Sequence, residues 1–276
     1  FPAQPKVLRD AVWGNIHLSG SEVVILDSPI IQRLRNIGNL GLASLIFPGA
    51  THSRFEHTLG VTYISGKMAN AIKQKDPLHP QGHTLPIDVV SLIRLAALFH
   101  DTGHIFYSHT GEKYFSSPHY SRSKKISLAK SQVAKSLQLD SIDLGELLSA
   151  CIITSNPIIQ LLQIAFDLKD TGEATKIANC CAELILGFSS RPEFTLYAPI
   201  INGPIDADKC DYLARDALQT GVPVLFDLER LIEKMVPVTL PDNAASNRAK
   251  NPIFYLGIQQ SGVASVEELT LSRRFM

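Results

Sequence analysis

The chain has 276 residues, enough to bury a large core as one big domain or two smaller ones. Hydrophobic residues make up 45% and charged residues 19%, the composition of a soluble globular protein. The 26 basic and 26 acidic residues cancel, and zero net charge argues against nonspecific nucleic-acid binding, which draws on a basic excess.

From the N-terminus, VLRDAVWGNIHLS (7–19) carries β-type residues around Gly14 and reads as a short strand or hairpin. SEVVILDSPIIQRLRNIGNLG (21–41) reads as helical with two starts, the second marked by Ser28 as cap and Pro29 at the first helical position. Ile30, Ile31, Leu34 and Ile37 form its apolar face, with Arg33 and Arg35 pointing elsewhere. IFPGATHSR (46–54) is a turn-rich loop. Helical spacing resumes at Phe55 with Leu59, Val61, Ile64, Met68 and Ile72, which puts His57 in a first turn. KQKDPLHPQGH (73–83) is a polar loop. LPIDVVSLIRLAALFHD (85–101) is a nearly all-apolar, central helix ending in His100 and Asp101, with Gly103 as its terminator.

Residues 119 to 200 read as several helices with polar joints, among them ELLSACIITS, PIIQLLQIAFDL and the amphipathic EATKIANCCAELILGF. IDADKCDYLARDALQTGV (205–222) is helical up to Gly221. RLIEKMVPVTL and NPIFYLGIQ then read as two strands of a hairpin, joined by the turn-forming LPDNAASNRAKNP. SVEELTLSRRFM starts a helix without a stop signal, and the chain opens on Phe1 rather than Met, so both ends read as truncated. The expected architecture is mainly α: a helical body over 1–221, and a C-terminal part over 222–276, hairpin and helix start, packed on the same domain. Four cysteines with no CxxC pair fit a reducing compartment and speak against a zinc knuckle. No apolar run reaches the roughly 20 residues of a membrane span, and no signal peptide is visible. The expected location is cytoplasmic, or nuclear in a eukaryote.

The chemistry concentrates in LAALFHDTGHIFYSH (95–109). A carboxylate directly after an apolar helix needs a partner, because an unpaired buried charge costs several kcal/mol. For Asp101 that partner is a metal ion or an arginine such as Arg94 or Arg54. Adjacent residues on a helix diverge by about 100°, so His100 and Asp101 can share one ion only at the helix end, where they stand. His57 and Asp208 add donors from upstream and downstream. Arg54 lies one turn before His57, and Asp208 and Tyr212 are four residues apart on one face.

Four segments carry a resemblance: DSPIIQRLRNIGNLG (27–41), FPGATHSRFEHTLGV (47–61), LFHDTGHIFYSH (98–109) and IDADKCDYLARDALQTGV (205–222). In this order they resemble HD-domain metal-dependent phosphohydrolases, and most of all the branch of SAMHD1-type deoxynucleoside triphosphate triphosphohydrolases. The resemblance runs from about residue 7 to the C-terminus. It implies an HD-domain helical fold and a divalent ion (Mn²⁺, Fe²⁺, Ni²⁺, Zn²⁺ or Mg²⁺) held by His57, His100, Asp101 and Asp208. It implies His104 facing phosphates, His109 positioning the water or the scissile phosphate, Glu112 supporting a catalytic histidine, and His119 as that histidine. Arg54 and Lys209 would bind phosphates, while Asn39, Leu40, Tyr212 and Asp216 would line the nucleotide pocket. Asp206 and Asp211 read as structural or solvated, and Arg215 and Asp216 have surface ion pairs as their ordinary reading.

Three departures bear on specificity. Asn39 replaces the branch's glutamine at a sugar-contacting position, Ile-Phe-Tyr replaces Gly-Pro-Phe before His109, and the branch's triphosphate-binding helix lies beyond SRRFM. The expected reaction is hydrolysis of a dNTP to deoxynucleoside and triphosphate. The alternatives are a phosphomonoesterase or phosphodiesterase on another nucleotide, or a regulatory HD protein that senses nucleotides without turnover. Expected partners are the nucleotide and further copies of the chain, with PIIQLLQIAFDL offering apolar surface; no membrane and no nucleic acid are expected.

Overall fold

A computed structural model describes residues 3–76, 85–105, 108–239 and 254–275, with backbone only at 108–110 and 116. The expected N-terminal hairpin is present. Strands β1 (Lys6–Asp10) and β2 (Gly14–Leu18) pair antiparallel, with Leu8 opposite Ile16. Helix α1 (Gly20–Leu26) opens on a capping box of Ser19 and Glu22. Helix α2 (Pro29–Gln32) starts with proline as expected and tightens into a 3₁₀ turn over Arg33–Asn36.

Two helices form the centre. α3 (Arg54–Lys73) is closed at its start by the Ser53–Glu56 capping box and is buried around most of its circumference. α4 (Val89–Phe99) is capped by Asp88, whose side chain accepts from the Val90 N–H at 3.0 Å. α3 packs on α4 and on α12 (Ala207–Thr220), while α4 also packs on α9 (Thr171–Ile185). Leu92, Ile93, Ile64, Met68 and Ile177 are fully enclosed there. Each such side chain contributes about 1.5–3 kcal/mol relative to exposure.

Besides α9, the α-helices between 108 and 201 are α5 (Ser108–Ser116), α6 (Ser123–Ser136), α7 (Leu144–Ile153), α8 (Asn156–Ala165), α10 (Pro192–Thr195) and α11 (Ala198–Ile201). The fold is therefore mainly α, as the sequence indicates. α8 corrects one expectation. It packs against α9 and α1, which hides Ile158 and Leu162, and of its apolar residues only Ile164 stands well exposed. Its apolar side is used inside the chain rather than offered to a partner.

The C-terminal third holds a second correction. The first half of RLIEKMVPVTL is helical: α13 (Leu228–Glu233), capped by Asp227, buries Leu228, Leu231 and Ile232 at helical spacing. Only Met235–Val238 is strand (β3), paired antiparallel with β4 (Tyr255–Ile258). The turn segment expected at 240–252 lies outside the described residues except for its neighbours, as does most of the loop expected at 73–83. α14 (Val263–Phe275) packs on α12 and α13, and α13 and β3 pack on α3.

Gly103 ends nothing by a left-handed turn, since its φ is not positive. It is glycine for proximity: a Cβ there would stand 2.1 Å from the Gly145 carbonyl of α7. Ser149 Oγ receives the Gly103 N–H at 2.7 Å and donates to the His100 carbonyl at 2.6 Å, so α7 supplies the cap that terminates α4. No single helix among the described residues is long and apolar enough to cross a membrane.

Candidate metal centre and nucleotide pocket

Three helix ends meet at one cavity of about 500 Å³. The start of α3 supplies Arg54 and His57, the end of α4 supplies His100 and Asp101, and the first turns of α12 supply Asp208, Lys209 and Tyr212. One ligand atom each from His57, His100 and Asp101 lies within 4.8 Å of the others. Asp208 joins through Oδ1, 2.9 Å from His57 Nε2. His57 Nε2 is also 3.7 Å from Asp101 Oδ2, and the two imidazole rings stand edge to face at 5.4 Å.

The donor set fits a divalent ion. His100 turns Nδ1 to the Ala97 carbonyl at 2.6 Å, which places the ring proton there. Its Nε2 is buried with no hydrogen-bond partner among the described residues, and is 3.4 Å from Asp101 Oδ1. A buried imidazole lone pair without a donor is costly unless a cation takes it. Two imidazole nitrogens with two carboxylates suit Mn²⁺, Fe²⁺, Ni²⁺ or Zn²⁺ well, and Mg²⁺ less so.

The carboxylates here attract positive charge, and without an ion it falls on His57. Burial disfavours a charged His57, but its hydrogen bonds to Asp208 and Asp211 and the negative charge of Asp101 outweigh this and raise its pKa to about 10. Burial opposes ionisation of Asp101, yet Arg54 and the surrounding histidines hold it well below the usual carboxylate range. Asp208, half-buried, is likewise held at about 2 against burial, by its hydrogen bond with His57. Among the described residues lining the cavity are six carboxylates (Asp101, Asp143, Glu146, Asp206, Asp208, Asp216) and three permanent cations (Arg54, Lys209, Arg273). A polyphosphate can enter such a pocket only with added positive charge.

Arg54 answers the question of Asp101's partner. Its Nη1 donates to Asp101 Oδ2 in a buried pair, whereas Arg94 is occupied with Glu22. His104 stands with Nε2 at 3.3 Å from Asp101 Oδ1 and Nδ1 against Glu112. Glu112 thus supports His104 rather than His119. His119 is exposed on the turn after α5 and is not among the residues that line the cavity. The side chain of His109 lies outside the described residues; its backbone is in the first turn of α5.

Asn39, Leu40, Tyr212 and Asp216 all line the cavity. Asp216 is buried, 2.7 Å from His52 Nε2, and accepts from Asn39 Nδ2 at 3.4 Å. Lys209 is anchored, donating to the Gly203 carbonyl at 2.9 Å and to Asp206. Arg215 and Asp216 are therefore not surface ion pairs, and Asp206 and Asp211 are not solvated: all four are buried. Asp206 caps α12 and lines the cavity, where burial and Asp208 raise its pKa to about 6. The sequence reading missed Asp143, Glu146 and Asn202, brought in by α7 and the turn after α11. It also missed Arg273, which α14 returns to the cavity wall, so a cationic residue of SRRFM does reach the pocket. No local pattern marks these four, since their place depends on how distant helices pack.

The HD domain family matches residues 54–216, more than half of the chain, and that span contains every residue of the proposed ligand set. An uncharacterized protein of Methanocaldococcus jannaschii, MJ1154, is 29% identical over 98% of this chain and 44% of its own length. Deoxynucleoside triphosphate triphosphohydrolases SAMHD1 of Gallus gallus and Homo sapiens are each 32% identical over 83% of this chain, which spans 36% and 35% of them. The chain thus covers less than half the length of these relatives. Histidine and aspartate converge where three helix ends meet, within the span that the family matches, and the chain belongs to the HD domain family.

Proposed function

We propose that the chain is a metal-dependent phosphohydrolase acting on nucleotide phosphoesters, with a dNTP as substrate and deoxynucleoside and triphosphate as products. The convergence of His57, His100 and Asp101, with Asp208 beside His57, at the wall of a nucleotide-sized cavity carries this reading. The SAMHD1 relatives, named as dNTP triphosphohydrolases, support the substrate class.

A bound divalent ion supplies Lewis acidity, acidifying water and screening phosphate charge. Arg54 holds Asp101 in place and directs a planar fork of donors suited to phosphate oxygens into the cavity. Lys209 is anchored at Asp206 and Gly203, which fixes a cation on the phosphate side. His104, backed by Glu112, is the described imidazole placed to move a proton at the scissile phosphate. Tyr212, Leu40 and Asn39 form the wall for the nucleoside, and the Asn39–Asp216 contact sets the polar edge that meets the sugar.

The test is incubation of the metal-loaded protein with a panel of dNTPs, NTPs, monophosphates and cyclic nucleotides, read by product identity. Triphosphate release from a dNTP is the expected result, and Asp101→Ala should abolish it together with the bound metal. Release of orthophosphate or pyrophosphate instead would replace the reading with the phosphomonoesterase or phosphodiesterase alternative. Binding without turnover would favour the sensing role.

A further inference from the structure

His57 and the N-terminal hairpin are joined by one buried chain of hydrogen bonds. Asp211, fully enclosed on α12, places Oδ2 at 2.8 Å from His57 Nδ1. The same oxygen accepts from Arg215 Nε at 2.8 Å. Its Oδ1 accepts from Arg215 Nη2 at 2.9 Å and from the indole N–H of Trp13. Arg215 then turns to Asp10, with Nη1 donating to Oδ2 at 2.9 Å and Nη2 to Oδ1 at 3.3 Å. Asp10 Oδ1 also accepts the backbone N–H groups of Val12 and Trp13, at 2.9 and 2.8 Å, and so builds the turn that presents Trp13. Trp13 stacks on Tyr63 of α3, ring centroids 6.2 Å apart.

The packing of α3 is cut to fit this network. A Cβ at Gly60 would stand 1.8 Å from Asp211 Oδ1 and 2.5 Å from Arg215 Nη2, so the helix approaches this closely only as glycine. Arg215 alone would have neutralised Asp211. Arg215 also grips both oxygens and sets the rotation of the carboxylate, and Trp13 adds a donor on Oδ1 that reinforces it, with one oxygen turned to the hairpin and the other to His57. An acceptor held that way keeps the proton of His57 on Nδ1 and aims Nε2 at Asp101 and Asp208. Which nitrogen of an imidazole binds a metal is set by the hydrogen bond of the other.

We infer that Trp13 and Asp10 are positioning residues for His57: acting through Asp211, the N-terminal hairpin sets the tautomer and direction of a metal-ligating imidazole some 40 residues away in sequence. The inference rests on the metal reading above. Cobalt(II) titrated into the chelator-stripped full chain tests it, with affinity taken from chelator competition and ligand geometry from visible absorption. Trp13→Phe keeps the stacking ring and removes only the N–H. Asp10→Asn keeps the shape and weakens the hold on Arg215, and it decides the matter should Trp13→Phe not fold. Both are expected to bind cobalt about 10-fold more weakly with an altered absorption band, at a temperature where the metal-free proteins are folded by circular dichroism. Variants that melt lower when metal-free, yet bind cobalt as tightly and with the parent's spectrum, would reduce the network to a structural one and overturn the inference alone. A parent chain that binds no cobalt at these ligands overturns the metal reading and the inference together.

Discussion

Arg54 meets two anionic demands at once: it neutralises Asp101 in a buried pair and it lines the cavity where phosphates would lie. Lysine cannot serve both, because it offers one compact charge instead of a planar fork. Arg54→Lys should therefore lower kcat/KM by about 10-fold or more, equivalent to about 1.4 kcal/mol of transition-state stabilisation. Lys209→Arg should be milder, since its cation is already tethered by Asp206 and Gly203. Steady-state kinetics of both variants on the best substrate check this. A near-normal Arg54→Lys enzyme would leave Arg54 as the ion-pair partner of Asp101 and nothing more.

At the scale of elements, the site depends on how α4 is held at both ends. Ser149 of α7 caps its C-terminus beside His100, and Asp88 caps its N-terminus while pairing with Lys73 at the end of α3. Asp88→Ala should destabilise the fold by about 1 kcal/mol through the lost cap. Its pH dependence follows from the sign of its shift. Burial opposes ionisation of Asp88, but the Lys73 contact and the Val90 and Ser91 N–H groups lower its pKa overall. A carboxylate more acidic when folded stabilises above its unfolded pKa, near 3.9, and that contribution disappears as pH falls through the lowered folded value. Thermal melts of the two proteins should therefore differ at pH 7 and converge in strong acid.

For the whole molecule, assembly into dimers or larger oligomers is the expectation, although most of the apolar side of α8 is packed within the chain. Leu45 (79% exposed), Ile46 (78%) and Leu225 (86%) are at least as exposed as Ile164 of α8. Sedimentation at several concentrations should show association, and Ile46→Asp should weaken it without altering the melt of the isolated chain. A monomer at every concentration would remove the expectation. α14 gives the molecule a further unity: by carrying Arg273 to the cavity, which Tyr212 also lines, it makes residues after 222 part of the pocket wall.

Local chemistry settles much of this protein before any folding is considered. Ser28 and Pro29 mark the start of α2, and helical spacing marks the runs that become α3, α4 and α12, because those signals act between residues within a turn or two of one another. The segments 47–61, 98–109 and 205–222 likewise place His57, His100, Asp101 and Asp208 near helix ends, where side chains can converge. What packing alone decides is which distant groups share a volume. Glu112 of α5 pairs with His104, just past the end of α4, while His119 stays exposed. Asp211, read from the linear chain as structural or solvated, and Arg215, read as a surface ion pair, are enclosed where α3 carries glycine at residue 60 and closes on α12. Burying a carboxylate is costly unless donors surround it, and those donors, from Trp13 to His57, come together only in the tertiary fold.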